Sequence, residues 1–434
     1  MTTPDANPPV EARLGLRFAR HVERFAPAEA AEGELGVDRL TDVPAFPQLP
    51  GRLDAAMGGG LADNPRAEDA YFLNVWAPRG AAQLPVLVFL HGGAWSTGAG
   101  SARWYSGETL AAAGMVVVTL NYRIGALAHL TPDADSDPTP LAIGDILHAL
   151  RWVQRNIGAF GGDPDRVTLA GQSAGGWYCH VLNLLPEAAG LFDGVALWSM
   201  ATRRPWPVET LRLMSARAAE GVGGGDLRGA PIDDLLTAGA AALRSQRFPF
   251  GTPGSAYLPA VSPVLPADLY AAEPAANRSH ANRIWVRTTA GETAAFFFGA
   301  PERDITTAQW KELWAGLPAE DRAPGIPESP EPYRALIAQT TWQHFERFPL
   351  AFAGAAEAAG RTVTVTQFDT ESALPGFLSG HTLDLPYQFG DRTQWADAPM
   401  LAGEQPDRFA SVAGQLFADT IRFVQAIPVA AKGD

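Results

Sequence analysis

VTLAGQSAGG, residues 167–176, joins a short apolar run to the pattern G-x-S-x-G. The run Val167–Ala170 predicts a buried strand, and the pattern of Trp177–Leu185 predicts a helix soon after it. Between a strand and a helix, the two glycines permit a sharp, strained turn in which larger side chains would clash. The turn raises the hydroxyl of Ser173 clear of the sheet, at a helix N-terminus whose dipole favours developing negative charge. The sequence therefore predicts Ser173 as a nucleophile.

Apolar runs like the one before Ser173 recur along the chain and alternate with helical patterns. The further predicted strands are Phe72–Trp76, Val86–Leu90, Val116–Leu120, Gly194–Trp198, Ile284–Thr288 and Thr362–Phe368. The clearest helical pattern, Pro140–Asn156, is amphipathic. Near-continuous apolar strands separated by helices indicate an α/β fold, with a mostly parallel central sheet and helices on both faces.

Two long segments break this alternation, at about residues 201–282 and 300–360. Both are rich in Ala, Pro and helical pattern, and we interpret them as helical excursions that cap the sheet. No segment has the length and composition of a linker between independent domains. We therefore predict a single domain over residues 1–434.

VLVFLHGGAW, residues 86–95, is a second strand that ends in a glycine turn. Acyl transfer through a serine needs hydrogen-bond donors for the oxyanion of the tetrahedral intermediate. The amide of Ala174, directly after the serine, is one candidate, and the amides of Gly93 and Ala94 are the others. Gly92 would let this loop approach the nucleophile. We expect these three amides to form the oxyanion hole.

A serine hydroxyl needs a base to remove its proton, and the base needs a carboxylate to orient it. In folds with this strand–serine–helix turn, the order along the chain is serine, acid, histidine. His381 follows the predicted strand Thr362–Phe368 and is the expected base. The other histidines after Ser173 fit less well, because they lie in the elbow helix, before the expected acid or within a helix; they are His180, His280 and His344.

The expected acid is Glu292, which comes just after the predicted strand Ile284–Thr288. Parallel strands end at the same edge of a sheet, so this position places a carboxylate near the serine. Two other carboxylates remain alternatives. Asp304 lies further along the same segment, and Asp369 directly follows the last predicted strand.

Three side chains beside the motifs are candidates for substrate binding. Trp95 follows the glycine turn, and Trp177 follows the serine turn. Burial in the core is the alternative for both rings, because aromatic side chains near a sheet are often core residues. Gln172 precedes Ser173 and places a neutral amide beside the nucleophile.

The charge balance argues against nucleic-acid and membrane partners. The chain has 47 acidic and 33 basic side chains, a formal net charge of -14, and no run of Lys or Arg. No His, Cys, Asp and Glu cluster has metal-ligand spacing, so we expect neither a metal nor another cofactor. Neither the charge distribution nor the motifs of the sequence indicate the oligomeric state.

Cysteine content and the N-terminus bear on the compartment. The single cysteine, Cys179, cannot form an internal disulfide. The first residues, MTTPDANPPVEARLG, have no basic and apolar pattern of a secretory signal, and no apolar stretch is long enough to cross a bilayer. We therefore expect a cytoplasmic protein.

Five segments together resemble the type B carboxylesterases, the group that includes cholinesterases and bacterial para-nitrobenzyl esterases. They are EDAYFLNV (68–75), NYRIG (121–125), ALRWVQRNIGAFGGDP (149–164), TTAGETAAFF (288–297) and GHTLDLPYQFG (380–390). The resemblance covers nearly the whole chain. It implies the α/β-hydrolase fold, with Ser173 as nucleophile, Glu292 as acid and His381 as base.

The chain also departs from the family pattern. The usual G-E-S-A-G is here G-Q-S-A-G, and Ala70 stands where a family cysteine is usual. The family's S-G-S after the next strand is Ser199-Met200-Ala201. The chain is shorter than most relatives at its start and in the capping segments, which affects the expected pocket shape rather than the chemistry.

These features predict a serine carboxylesterase that hydrolyses uncharged carboxylic esters through an acyl-enzyme intermediate. Its expected partner is a small-molecule ester. The same triad could instead hydrolyse an amide, a carbamate or a lactone, since the fold alone does not distinguish these reactions. A non-catalytic binding protein of the same fold is a further alternative, although such proteins usually lose a triad residue.

Overall fold

A computed structural model describes residues 9–32, 35–133, 138–223, 225–254, 256–326 and 330–426. The strands are β1 Val10–Arg17, β2 Ala19–Arg20, β3 Glu29–Ala30, β4 Phe72–Pro78, β5 Leu84–Leu90, β6 Val116–Leu120, β7 Gly162–Gln172, β8 Gly194–Trp198, β9 Arg283–Thr289 and β10 Thr362–Phe368. Residues 1–8, part of the segment considered above for a secretory signal, lie outside the described residues.

The helices lie mostly between these strands. They are α1 Asp54–Met57, α2 Glu108–Ala112, α3 Gly125–His129, α4 Leu141–Asn156, α5 Ala174–Leu182, α6 Val208–Gly221, α7 Ile232–Arg244, α8 Ala272–Arg278, α9 Ala294–Phe297, α10 Thr307–Gly316, α11 Pro332–Thr341, α12 Arg347–Ala358, α13 Asp384–Phe389 and α14 Pro406–Gln425. A π-helical turn, Trp342–Glu346, joins α11 to α12. Within the described residues, no helix is both long and apolar enough to span a bilayer.

Eight strands form one sheet in the order β1-β4-β6-β5-β7-β8-β9-β10. β1 and β6 pair antiparallel with β4, and all other neighbours are parallel. The predicted mostly parallel sheet is thus confirmed, and each predicted strand is present with ends that differ by a few residues at most, except for β7, which begins earlier. Sequence reasoning missed β1, because VEARLGLR mixes charged residues with Gly15, which has φ +67°.

The sheet carries core on both faces, because successive side chains of a strand point to opposite sides. On β5, Val88 and Leu90 pack into the layer that includes α4 and α5. Leu87 and Phe89 pack into the opposite layer, which includes α14. Helices on both faces explain why the central strands are almost wholly apolar.

The two segments predicted as excursions contain α6–α8 and α10–α12. One part differs from the prediction: α12 packs directly against β9, β10 and α8, so it belongs to the layer on the sheet and not to a cap. This is the ordinary place of a helix that links two parallel strands. The single domain over residues 1–434 stays a prediction.

Candidate active site

Ser173 occupies the turn between β7 and α5 with φ +59° and ψ −118°. The flanking glycines leave no room for side chains. A Cβ on Gly171 would lie 2.4 Å from the carbonyl group of Gly175, and a Cβ on Gly175 would lie 2.2 Å from the carbonyl oxygen of Leu90. The sequence forms this strained turn because only glycine fits two residues before and two residues after the serine. The Ser173 amide donates to the carbonyl oxygen of Trp198 at 2.9 Å, which fixes the turn to β8.

His381 and Glu292 form a buried pair at the same edge of the sheet. His381 Nδ1 lies 2.5 Å from Glu292 Oε2, and the exposed fractions of the two side chains are 1% and 0%. The backbone amide of His381 also donates to the carbonyl oxygen of Glu292 at 3.0 Å. The second carboxylate oxygen, Oε1, accepts from the amide of Thr289 at 2.7 Å. Both atoms of the carboxylate are therefore held, and the imidazole is fixed with Nδ1 toward the acid.

The alternative acids and bases lie elsewhere. Asp304 and Asp369 are exposed, so neither can hold a buried imidazole. His180 is buried, and its Nε2 contacts the carbonyl oxygen of Leu269 at 3.0 Å. The geometry therefore favours the pair His381 and Glu292 that chain order predicts.

Gln172 contacts the imidazole nitrogen of His381 that does not face Glu292. Its Nε2 donates to His381 Nε2 at 3.1 Å, while the hydrogen bonds of the described residues include none between Ser173 Oγ and His381. Such a bond is often long or poorly aligned before substrate binds. With Nδ1 directed at the Glu292 carboxylate and an amide N–H directed at Nε2, the geometry fits the tautomer that carries its hydrogen on Nδ1, which is the one that a base needs. For His381 to take the serine proton when substrate is bound, Ser173 Oγ must replace the Gln172 amide at His381 Nε2.

The predicted oxyanion loop approaches the serine closely. A Cβ on Gly92 would lie 3.0 Å from Ser173 Cβ, so only glycine permits this approach. Gly93 and Ala94 have φ +123° and +51°, and within the described residues their amides donate no hydrogen bond. Ala174 is the first residue of α5, so its amide has no partner inside the helix. The three predicted amides are thus available as donors beside the serine.

A cavity of about 550 Å³ opens above these groups. Its wall includes Ser173 and His381, together with the predicted substrate-binding residues Trp95 and Gln172. Trp177 does not line it, and this part of the prediction is wrong. The Trp177 indole is fully buried against the Trp95 ring, and its N–H donates to Arg203 O and Tyr270 Oη. Core packing therefore fixes this ring, as in the alternative considered for it.

Two phenylalanines that the sequence did not single out as a pair enclose the histidine. The ring centroids of Phe296 and Phe345 lie 5.3 and 4.9 Å from that of His381, and both rings line the cavity. Phe345 belongs to the π-helical turn, a type of irregularity that often occurs at functional sites. Such a turn has no clear sequence signal, so only the structure shows how Phe345 reaches the site.

Two titratable groups of the same turn have shifted pKa values. Burial lowers the pKa of His344, which also lines the cavity, to about 4, and the charge of Arg203 acts in the same direction. Burial raises the pKa of Glu346 to about 7, the charge of Glu292 adds to this rise, and a hydrogen bond from Gln367 opposes it. His344 is thus neutral near pH 7, so its side chain adds no charge to the cavity wall.

Backbone strain is concentrated around the candidate catalytic groups. Ala94, Trp95, Ser173, Ser199 and Thr382 all have φ between +47° and +75°. This region is unfavourable for residues with a Cβ, at roughly 1–3 kcal/mol for each residue. The surrounding packing must hold these conformations in place.

Comparison with known proteins gives a consistent result. A sequence model of the carboxylesterase family matches residues 1–226. The probable N-octanoylanthranilate hydrolase of Rhodococcus erythropolis is 31% identical over 90% of this chain and 84% of its own length. The para-nitrobenzyl esterase of Bacillus subtilis is 31% identical over 75% of this chain and 68% of its own length.

Solved structures of esterases are similar over all or nearly all of the chain. A para-nitrobenzyl esterase structure is 27% identical, covers 100% of this chain and 90% of its own, and gives a TM-score of 0.78. The carboxylesterase of Geobacillus stearothermophilus at pH 6.2 is 29% identical, covers 98% and 89%, and also gives 0.78.

Proposed function

This chain belongs to the carboxylesterase family and is a carboxylic ester hydrolase with the α/β-hydrolase fold, and we propose that Ser173, His381 and Glu292 perform its reaction. Ser173 Oγ attacks the ester carbonyl while His381 Nε2 takes the proton. Glu292 stabilises the imidazolium, and the amides of Gly93, Ala94 and Ala174 stabilise the oxyanion. His381 then protonates the leaving alcohol, and water repeats the sequence on the acyl-enzyme.

One observation carries this proposal. The cavity wall brings together the strained Ser173, the loop amides of Gly93 and Ala94, and His381, which is paired with the buried Glu292. A non-catalytic binding protein would not need a carboxylate and an imidazole aligned at 2.5 Å beside a strained serine. The esterases among the relatives favour ester hydrolysis over the amidase, carbamate and lactone alternatives.

A fluorophosphonate tests the assignment directly. Its phosphorus should bond to Ser173 Oγ with loss of fluoride, because an activated serine beside an oxyanion hole is the group that such a reagent requires. We expect one phosphonyl group per chain, which peptide mass spectrometry should place on Ser173. The Ser173→Ala variant should stay unlabelled. Labelling of a different serine in the wild type would contradict the proposed nucleophile.

The neutral amide of Gln172 supports a further proposal about charge: the enzyme prefers uncharged esters to cationic ones. A carboxylate beside the serine would attract a bound cation by about 1–4 kcal/mol. Cation–π contact with Trp95 could replace only about 0.5–2 kcal/mol of this. The net charge of -14 acts at long range and is largely screened by salt.

We therefore expect wild-type kcat/KM for a choline ester to be no more than that for the uncharged dimethylbutyl ester of the same acid. The Gln172→Glu variant should raise the ratio of the two, by about tenfold. Gln405→Glu is a matched control, since Gln405 is exposed and does not line the cavity. A tenfold wild-type preference for choline, or no change of ratio in Gln172→Glu, would refute this proposal.

The expected cytoplasmic location stays a proposal. The buried Cys179 of α5 is compatible with a reducing compartment, because the fold uses no disulfide.

A further inference from the structure

Arginines dominate the charged wall of the active-site cavity. Among the described residues, Arg52, Arg66, Arg203 and Arg244 line it, together with a single carboxylate, Asp54. This balance is the reverse of the whole chain, in which acidic side chains exceed basic ones. The cavity is therefore locally positive in a negatively charged protein.

These four arginines also form no close ion pair with any described residue. Elsewhere in the described part of the chain, arginines commonly pair with carboxylates, such as Arg24 with Glu68 at 2.5 Å. No ion pair of the described residues includes any of the four that line the cavity. The charges of Glu302 and Asp54 still act on Arg52 and Arg66 at longer range. A guanidinium that contacts no carboxylate in a concave site is a ready partner for an anionic ligand.

Arg203 is held rigidly at the wall. Its carbonyl oxygen accepts from Trp177 Nε1 at 3.0 Å and from Tyr270 Oη at 2.6 Å. Its guanidinium donates to the carbonyl oxygens of Pro253 and Gly254, both at 3.2 Å. Burial lowers the pKa of Arg203 below its usual value, since no carboxylate offsets the loss of water. The side chain is thus half-buried, charged and preorganised.

Arg52 approaches the same point from another part of the chain. A Cβ on Gly254 would lie 2.4 Å from Arg52 Nη1, so this guanidinium and that of Arg203 meet at Gly254. Arg52 Nη2 donates to the carbonyl oxygen of Phe296 at 3.1 Å, and the Phe296 ring contacts His381. The Arg52 guanidinium is therefore separated from His381 by one residue, Phe296, and the Arg203 guanidinium lies beside it at Gly254.

We propose that this cavity binds esters that carry a carboxylate away from the ester group that is cleaved, with Arg203 and Arg52 as the residues that bind the carboxylate. The planar guanidinium matches the two carboxylate oxygens and forms strong charge-assisted hydrogen bonds in a partly buried site. The inference rests on the proposed function, because it assigns the substrate class of that same site. Uncharged esters are then slower substrates and cationic esters the slowest.

Two pairs of esters test the inference, one for each side of the ester bond. On the acyl side, 4-nitrophenyl hydrogen adipate is compared with 4-nitrophenyl adipamate, its uncharged carboxamide. On the alcohol side, 3-(4-acetoxyphenyl)propanoate is compared with 3-(4-acetoxyphenyl)propanamide. We expect wild-type kcat/KM to favour the carboxylate by about tenfold to a hundredfold in at least one pair. The pair that shows the preference identifies the side on which the carboxylate binds.

Arg203→Gln and Arg52→Gln should each lower this carboxylate-to-carboxamide ratio, by about tenfold. Arg203→Lys, which keeps the charge but loses the planar fork, should lower it by less. Arg212→Gln is the matched control: Arg212 is exposed on α6 and does not line the cavity, so the ratio should not change. Because Arg52 lies at the exposed rim, its variant also tests the inference if Arg203→Gln does not fold.

The outcomes separate this inference from the proposed function. Equal kcat/KM for carboxylate and carboxamide in both pairs would overturn the inference while leaving the proposed function intact. A preference that neither arginine variant lowers would overturn the assigned residues. If the enzyme hydrolysed none of the four esters, this result would contradict both the proposed function and this inference.

Discussion

Replacing Ser173 with alanine should lower kcat for ester hydrolysis by about 10⁴–10⁶-fold and leave the fold intact. The change removes the atom that forms the acyl-enzyme, while the oxyanion amides and the cavity remain. The residual rate should then be that of water attack assisted by the oxyanion hole. The measurement is turnover of a 4-nitrophenyl ester by the purified variant, with circular dichroism to establish that it is folded.

Ser106→Ala provides the comparison for this variant. Ser106 is only partly buried and does not line the cavity, so its hydroxyl should not matter for turnover. Near-wild-type turnover by a Ser173→Ala sample free of wild-type protein would show that another group is the nucleophile.

Glu292→Gln should have the second largest effect, about a 10⁴-fold loss of kcat. Glu292 Oε2 accepts from His381 Nδ1, which makes Nε2 the acceptor nitrogen that can take the serine proton. The glutamine amide has nearly the same shape, but it can donate to Nδ1 and then stabilises the wrong tautomer. It also removes the negative charge that stabilises the imidazolium. The measurement is kcat at a fixed pH for the wild type and the variant.

Asp304→Asn and Asp369→Asn test the two alternative acids under the same conditions. Both carboxylates are exposed, so we expect each variant to keep most of the wild-type activity. If Asp369→Asn proved to be the damaging change, the acid would lie after β10, and the assignment of Glu292 would fail.

The parts of the structure that depend on local sequence could be predicted. Strand β6 was predicted with its observed ends, because VVVTL is short, β-branched and bounded by turn residues. The serine turn was predicted because its two glycines answer to nearby contacts. A side chain on Gly171 would clash with Gly175, and one on Gly175 would clash with Leu90 of the neighbouring strand β5. Chain order then placed Glu292 and His381, since parallel strands bring their carboxyl ends to one edge.

The parts that depend on distant contacts could not be predicted. The sequence suggested Trp177 for the pocket, but the carbonyl of Arg203 and the hydroxyl of Tyr270 hold its indole in the core. Arg52 and Arg203 are far apart in the sequence, and nothing local to either predicts that they meet at Gly254. The expectation of uncharged substrates rested on Gln172 alone and did not include these arginines.

The strained backbone of the site also limits how the enzyme can be made more heat-resistant. Ala94, Trp95, Ser173, Ser199 and Thr382 each hold a conformation that glycine adopts more easily. Selection for thermal stability alone would favour substitutions that relieve the backbone strain at these positions. Such substitutions would move the proposed oxyanion amides, the proposed nucleophile or the backbone that follows His381. Engineering for stability should therefore start at the surface and in the core away from the site, where gains do not trade against activity.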